Sequence, residues 1–564
     1  MEDSSLIELA KSWEEQASPY TAKMEKRWKR NKRYWLGYEK NQQGSVEEEK
    51  SIPDNLIFES IETVLPVATK RPPEPVVDSD GTPEGTDLAN DITKTLTYLS
   101  KKTKLKYVIK DATRNWMIYE LGVVKVGWDE IENEITSKTI KTSSLILDPK
   151  AYIENGRYKG RFIGELREDT AEDLIARFPQ AEAQIMIEAQ NKKNTNIKYT
   201  EWWTPTTLFW KMKDTILGKA KNPHWNENTT EQSVDEYGQS VEMPVEGNNH
   251  FAAPEMPYLF LSVFSTGGQP HDETGLISQN IKNQDLVVKR IEQIDINADN
   301  TNGGAVVSGD FFTKEQASLV GQAKRKGDTV WVPHGDVNQA YKQDIGASLP
   351  PFVYQSLMDY RNELRANFGT QGITAQGTAQ ESTVRGKIIQ RDQDSTRIGG
   401  GISDYIELLS ENIFDWYIQL ICVYYDEPHF AISIGESRAQ LAVAVQKDRV
   451  NRKLIVTVKE GSMLPKDAVT IRNQAIDLWT AGLLDPLSVY EMIDLPNPEE
   501  TLQRLITWQT NPAGLLGAQM PPGMLPQPQM GQPSPVTAVP EAPMTSQTPS
   551  SEAVQQQFNA MPTE

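Results

Sequence analysis

At 564 residues and 63.5 kDa the chain is long enough for several hydrophobic cores and, on length alone, for roughly three or four domains. A formal charge of -20 argues against tight nucleic-acid binding, which is built from many Lys and Arg contacts to phosphate. It suits an ordinary acidic soluble protein, or a wall that a polyanion slides past without sticking. The one cysteine, Cys422, excludes an internal disulfide and reads as a packed, reduced thiol; the acidic start Met1-Glu2-Asp3 lacks the apolar core of a secretory signal; and the longest apolar runs, 258–264 and 416–425, are too short to cross a bilayer, so no membrane partner is expected.

Residues 4–17 and 20–37 read as two helices. The second carries Tyr20, Met24, Trp28 and Trp35 on one side and Lys23, Lys26, Arg27, Lys29, Arg30, Lys32 and Arg33 on the others, a pattern of either a nucleic-acid helix or a surface helix pinned by its aromatics. A short helix from Asp54 is expected to end at Pro66, and Pro72, Pro73 and Pro75 force an extended segment. Leu88, Ile92, Leu96 and Leu99 make one helical stripe, and Leu105, Val108, Ile109, Ala112, Trp116 and Tyr119 another, ended by Gly122. Val123–Trp128 and Leu145–Leu147 read as strands, Thr170 as the cap of a helix reaching Phe178, and 201–204 and 208–212 as further sheet. Residues 226–249 form a polar patch expected to be mobile.

From Thr274 to Asn297 a helix turns Ile277, Ile281, Val288, Ile291 and Ile294 inward. A β-α-β unit follows: a strand at 305–307, a helix opened by the capping box Thr313-Lys314-Glu315-Gln316, and a strand at 329–332 containing Trp331. Lys324, Arg325 and Lys326 form its charged tip, either simply solvated or meeting an acidic partner. Phe352, Leu357, Tyr360, Leu364 and Phe368 then recur at near-helical spacing over 350–367. Gly369, Gly372 and Gly377 follow among Thr370, Gln371, Thr374, Gln376, Thr378 and Gln380, a loop of neutral hydrogen-bonding groups. From Ser382 a long helix starts polar and becomes apolar at Ile402, Ile406, Leu409, Ile413, Trp416, Leu420 and Tyr424. Gly399, Gly400 and Gly401 interrupt it, and at about 1 kcal/mol each relative to alanine they predict a kink. A strand at 454–458, helices to Trp479, over 487–493 and over 498–508, and a Pro/Gln/Met-rich tail from Pro512 expected to be disordered complete the chain.

No nucleotide-binding Gly-x-x-x-x-Gly-Lys run, zinc-binding His-Glu-x-x-His pair or Gly-x-Ser-x-Gly elbow occurs. The five histidines, His224, His250, His271, His334 and His429, are far apart, and the four that follow proline are expected in turns. The sequence therefore predicts no catalytic residue, no cofactor and no metal site.

The order of a helix opening at Gly275, a β-α-β insert, a helix returning to Phe368, a Gly/Thr/Gln loop and Glu381-Ser382-Thr383-Val384-Arg385 leading a long helix resembles tailed-bacteriophage portal proteins, the head-tail connectors, over roughly residues 20–500. Leu121–Asp129, a glycine and a strand ending in Trp-Asp, resembles part of their wing. The resemblance implies an α+β, mainly helical chain: N-terminal helices at 1–40, a wing at 41–270, stem helices at 271–300 and 348–368 around a clip at 301–347, and a tunnel loop at 369–383. The long helix and wing return follow at 384–460, a helical crown at 461–511 and the tail at 512–564. It also implies a dodecameric ring at the capsid vertex of a virion, made in host cytoplasm, passing double-stranded DNA in packaging and ejection. The implied partners are the terminase motor, a tail adaptor and the major capsid protein, with the clip as docking site. Thr370, Gln371, Thr374, Gln376, Thr378 and Gln380 would then line the channel, and Arg385 would contact phosphate or a neighbouring subunit. The rival readings are an internal virion or scaffold-like binding protein without a channel, and a metal-dependent nuclease built from scattered carboxylates.

Overall fold

The structure, a computed structural model, describes residues 2–39, 50–51, 53–79, 81–190, 192–227, 229–234, 240–245, 249–263, 275–301, 304–310, 312–315, 341–344, 349–370, 398–426, 429–434, 440–445, 454–459, 462–463, 468–493 and 498–510. It is a mixed α+β chain dividing into two compact units, Met1–Ala481 and Gly482–Glu564.

The first unit opens with helices α1 (Asp3–Leu36), α2 (Leu56–Ala68), α3 (Pro83–Lys102) and α4 (Leu105–Tyr119), among which lie the short pair β1 (Tyr38–Glu39) and β2 (Lys50–Ser51) and strand β3 (Pro75–Asp78). Two antiparallel sheets follow. Strands β4 (Gly122–Asp129), β5 (Glu134–Ile140), β7 (Tyr152–Glu154), β8 (Arg157–Lys159) and β15 (Tyr258–Leu261) form one, in the order β5-β4-β15-β8-β7. Strands β6 (Leu145–Leu147), β9 (Ile163–Thr170), β10 (Asn196–Trp203), β11 (Thr207–Met212) and β12 (Thr215–Lys221) form the other, in the order β12-β11-β10-β9-β6. Helices α5 (Ala171–Arg177) and α6 (Glu182–Glu188) connect β9 to β10.

The side-chain period of two decides how these layers stack. On the first sheet Val124, Val126, Leu259 and Leu261 face a helical core that includes Ile109, Trp116 and Trp416. Their neighbours Val123, Tyr258 and Phe260 turn the other way, onto Leu145, Ile163, Trp203 and Leu208 of the second sheet. The far face of the second sheet presents Trp202 and Phe209 to Leu6, Ala10 and Trp13 of α1. Trp13 stacks on Phe162 with ring centroids 4.5 Å apart.

Helices α7 (Leu276–Thr301) and α8 (Pro351–Phe368) pack on each other, and α9 (Asp404–Tyr424) runs through the helical core. Strands β16 (Gly304–Val307) and β17 (Tyr341–Asp344) pair between α7 and α8; β18 (His429–Ile434) pairs with β19 (Gln440–Val445), and β20 (Ile455–Val458) with β3. Helix α10 (Ala468–Thr480) ends this unit, and α11 (Pro486–Met492) and α12 (Pro498–Thr510) pack together in the second.

Several expectations are corrected. The two N-terminal helices are one, with Pro19 inside it, because Trp13, Ala17, Met24 and Trp28 are buried along a single face that outweighs one missing N–H. Pro66 lies within α2, which runs two residues further. The cap of α4 is Glu120 in the left-handed region (φ 66°), while Gly122 already belongs to β4. The polar patch at 226–249 carries paired strands β13 (Thr229–Val234) and β14 (Ser240–Val245). The strand at 304–307 pairs antiparallel with 341–344, a segment the sequence reading passed over, and the expected strand at 329–332 lies outside the described residues. Phe352 is 64% exposed, and Val353 takes its place on the buried face of α8. His429 opens β18 rather than lying in a turn.

Gly122 is required by space. A Cβ there would sit 2.2 Å from the backbone oxygen of Ala112 in α4. Gly122→Ala is expected to lower the unfolding free energy by about 1–3 kcal/mol, read from urea denaturation, since a backbone and not a side chain has to move.

Candidate functional site

The loop that the sequence singles out follows α8 in the chain, and α8 packs on α7. Their facing side chains include Ile277 and Val287 on α7 and Leu357, Leu364 and Phe368 on α8. Asn367, near the end of α8, donates to Asn280, near the start of α7, at 2.8 Å, while β16 and β17 close the other ends, so the helices are antiparallel.

Buried polar groups lock this pair to α1 and α2. Gln284 of α7, with no exposed surface, accepts from the Leu56 N–H (3.1 Å) and donates to the Asp54 carbonyl (2.7 Å), tying the start of α2 to α7. Asn55 caps the Phe58 N–H at 3.0 Å and donates to the carbonyls of Tyr34 and Trp35 at the end of α1 (3.0 and 3.1 Å). From α8, Arg361 reaches Asp54 at 2.7 Å and Arg365 reaches both carboxylate oxygens of Glu59 at 3.0 and 3.1 Å. Glu120, 2% exposed, gathers Arg27 and Asn31 of α1 and Ser278 of α7 onto one carboxylate.

At the end of α8, Gly369 takes φ 71°, where glycine is favoured. Thr370 donates its N–H to the Arg365 carbonyl at 2.9 Å and is fully buried, finishing the helix cap. Gln371, Thr374, Gln376, Thr378, Gln380 and Arg385 lie outside the described residues, as do Lys324, Arg325, Lys326 and Trp331. Gly399, Gly400 and Gly401 sit in a π-helical turn, Ile398–Ser403, that passes into α9 with Ser403 in helical geometry (φ -63°, ψ -41°). A Cβ at Gly401 would meet nothing within 4 Å, so space does not demand glycine there.

A second cluster, missed by the sequence reading, joins the two sheets. Glu165 and Glu201 stand directly opposite each other across β9 and β10, a pairing of like charges that is unfavourable by itself. Lys125 reaches in from β4 of the facing sheet and bridges both, 2.7 Å to each, and Arg167 adds a 2.8 Å contact to Glu201. The Tyr258 hydroxyl donates to Glu165 at 2.7 Å and the Trp203 indole N–H to Glu201 at 2.6 Å. Burial alone would raise the Glu201 carboxyl; the Lys125 and Arg167 charges outweigh it and hold that carboxyl well below the usual carboxylate range. Burial, with the two glutamates beside it, pushes the Tyr258 phenol well above its ordinary value. The available signal was Lys125 itself, a lysine inside the apolar run Val123-Val124-Lys125-Val126. Every member is paired, so the cluster is built to hold sheets together and offers no open position to a ligand.

Helix α9 ties the remaining loops. Gln419, fully buried, accepts from the N–H groups of His250 and Phe251 (2.8 and 3.0 Å) and donates to the His224 carbonyl and to Asn249 (both 2.9 Å). Asn412 accepts from Arg157 at 2.9 Å and donates to the Asn155 carbonyl at 2.8 Å. Among the described residues no group of three or more His, Cys, Asp or Glu is placed to hold a metal ion, and no helix is long and apolar enough to cross a membrane. Cys422 is buried, 2% exposed, on α9.

These layers define a mixed α+β fold in which a helical hairpin is clamped beside a pair of antiparallel sheets. Residues 33–239 match the family described as phage P22-like portal protein, so the portal resemblance drawn from the sequence holds for that stretch. The match begins in the last turns of α1, contains most of both sheets, and stops short of α7 and α8. Among solved structures the chain is similar to a chain in the virion of a native gene transfer agent particle, at 9% identity over 83% of this chain and 94% of that one, with a TM-score of 0.38. It is similar also to a chain from the neck of the native gene transfer agent particle computed with C12 symmetry, at 9% identity over 79% of this chain and 91% of that one, TM-score 0.38. No curated protein matches the sequence.

Proposed function

We propose that this chain is a portal subunit whose copies close into a ring at the capsid vertex of a phage-type virion. Double-stranded DNA passes through the ring during packaging and ejection, and a terminase motor, a tail adaptor and the major capsid protein dock on it. The observation that carries this reading is the match of residues 33–239 to the P22-like portal family. The antiparallel pair α7 and α8 supports it, being a two-helix limb with a neutral Gly/Thr/Gln stretch at its returning end, where hydroxyls and amides meet phosphates too weakly to stall a moving duplex. The charge of -20 supports it as well, because a wall of like sign repels the polyanion it conducts. No catalytic step is assigned to the chain.

The test is an image and a mass. Negative-stain micrographs of the purified full chain are expected to show rings with a central hole, and native mass spectrometry a fixed multiple of 63.5 kDa. A single-chain mass under every condition overturns the reading in favour of an internal virion or scaffold-like protein. Deleting residues 372–379 is expected to leave the ring intact while impairing DNA packaging or retention; normal packaging with that deletion removes the loop from the channel wall.

A further inference from the structure

Strand β4 separates two surfaces of opposite charge that a single chain cannot bring together. Near its start lies the second half of α1, where residues 23–33 hold seven Lys and Arg against one acid, Glu25. Met24, Trp28 and Asn31 are buried, Arg27 is engaged on Glu120, and Arg30 reaches Ser278 at 3.3 Å. Lys26, Lys29 and Lys32, three residues apart, are left exposed along the outer side, where Glu25 lies 3.1 Å from Lys29.

At the other end of β4 is the turn into β5. Asp129 accepts from the N–H groups of Ile131 and Glu132 at 3.0 and 3.2 Å and so fixes its shape. Glu130, Ile131 and Glu132 are exposed on it, and Ile131, at 93%, is the most exposed large apolar side chain among the described residues. Neighbouring Glu134 is already engaged by Lys102. Eight strand residues, roughly 25 Å, divide this tip from the Glu120 end where α1 crosses.

We propose that the acidic, isoleucine-tipped turn at residues 129–132 of one copy docks on the Lys26, Lys29 and Lys32 face of α1 in the next copy. The surfaces differ, so the contact is head-to-tail, the kind that repeats around a ring. Lysine stems supply an apolar floor for Ile131 while their ammonium groups meet Glu130 and Glu132. A duplex is the weaker occupant of this face, because the surrounding chain carries -20 and repels it at long range. The contact rests on the ring reading above and supplies one of its interfaces.

Two experiments on the full chain test it. Copies carrying only Lys29→Cys are co-assembled with copies carrying only Ile131→Cys and treated with a short bismaleimide; native Cys422 is 2% exposed and stays out of the reaction. A two-chain product that needs both variants is expected. In parallel, K26E/K29E/K32E and E130K/E132K are each expected to weaken subunit association on the order of 10- to 100-fold, and their combination to recover most of it, with unchanged circular dichroism because every altered side chain is exposed. Rings that form normally in all variants without the cross-link overturn the contact and leave the ring standing. A wild-type chain that never assembles overturns the ring reading itself. Loss of duplex retention by the α1 variant with assembly untouched gives the basic face to DNA and overturns the contact.

Discussion

Lys125→Met is expected to lower the unfolding free energy by about 3–5 kcal/mol, the cost of leaving a buried ionised group without its partner. The reason is positional. Glu165 and Glu201 are cross-strand neighbours with 7% and 2% of their surface exposed, and without the ammonium group only Arg167 stands between two carboxylates in a water-poor layer. Methionine restores most of the lysine's volume, so the loss reports charge rather than a cavity. K125M/E201Q is expected to be destabilised by less than the sum of the two single changes, with a coupling of about 0.5–3 kcal/mol, since the double variant leaves Glu165 and Arg167 balanced. Acid gives a second signature. In the wild type the Glu201 carboxyl is held below its unfolded value of 4.5, so its contribution is present above that pH and is lost as the pH falls below it; K125M, without one of the two charges that hold it down, is expected to lose less there. Urea midpoints at pH 7 measure the first, and midpoints below the unfolded Glu201 value of 4.5, compared between K125M and wild type, measure the second. Equal stability of K125M and wild type at pH 7 would remove the cluster from any role in joining the sheets.

What the sequence disclosed about this fold followed apolar periodicity. Leu88, Ile92, Leu96 and Leu99 announced α3, Ile406 to Trp416 announced α9, and Thr170 does cap α5, accepting from the Asp173 N–H at 3.2 Å. Prolines misled where packing overrode local cost: Pro19 and Pro66 both lie inside helices whose buried faces continue past them. Phe352 misled because a large aromatic at the right spacing outweighed the smaller Val353, which is the residue actually buried. The sheet-joining charges were illegible because they depend on register. Nothing in the local sequence places Glu201 opposite Glu165, or aims Lys125 at both from another sheet. The same holds for Gln419, whose four hydrogen bonds go to residues 168 to 195 positions away. For the candidate channel, the sequence located the stretch that follows α8, and the fold adds what fixes its root: Gly369 in the left-handed region, Thr370 turned back on Arg365, and Arg365 itself held by Glu59.

Between pH 6.5 and about pH 3 the wild-type chain is expected to lose stability at up to about 1.4 kcal/mol per pH unit through a single histidine. His224 stacks on Trp203 at 5.6 Å, meets Trp416 and Tyr424 edge-on, and is buried, 8% exposed. Burial first, and then the nearby Lys125 charge against a smaller opposing pull from Glu201, lowers its pKa from 6.5 to about 3. Its tautomer follows from the hydrogen bonds. The Tyr424 hydroxyl gives its one proton to the Pro223 carbonyl at 2.9 Å, so the Nδ1–H of His224, 3.0 Å away, donates to the Tyr424 oxygen. An added proton has to go to Nε2, on the side of the ring that faces Gly127 of β4. The folded state therefore refuses a proton that the unfolded chain accepts below pH 6.5, so stability is fully present above that value and falls with pH inside the window. His224→Phe keeps the ring stacked and leaves Tyr424 its bond to Pro223. At pH 8 it is expected to be less stable than wild type by about 1 kcal/mol for the lost hydrogen bond. From pH 6.5 to pH 5 its unfolding free energy is expected to fall less steeply, by up to about 1.4 kcal/mol per unit, so that the two curves cross. Parallel curves for wild type and H224F over that range would show that His224 is protonated in the folded chain, and the enclosure that sets its pKa would then be wrong.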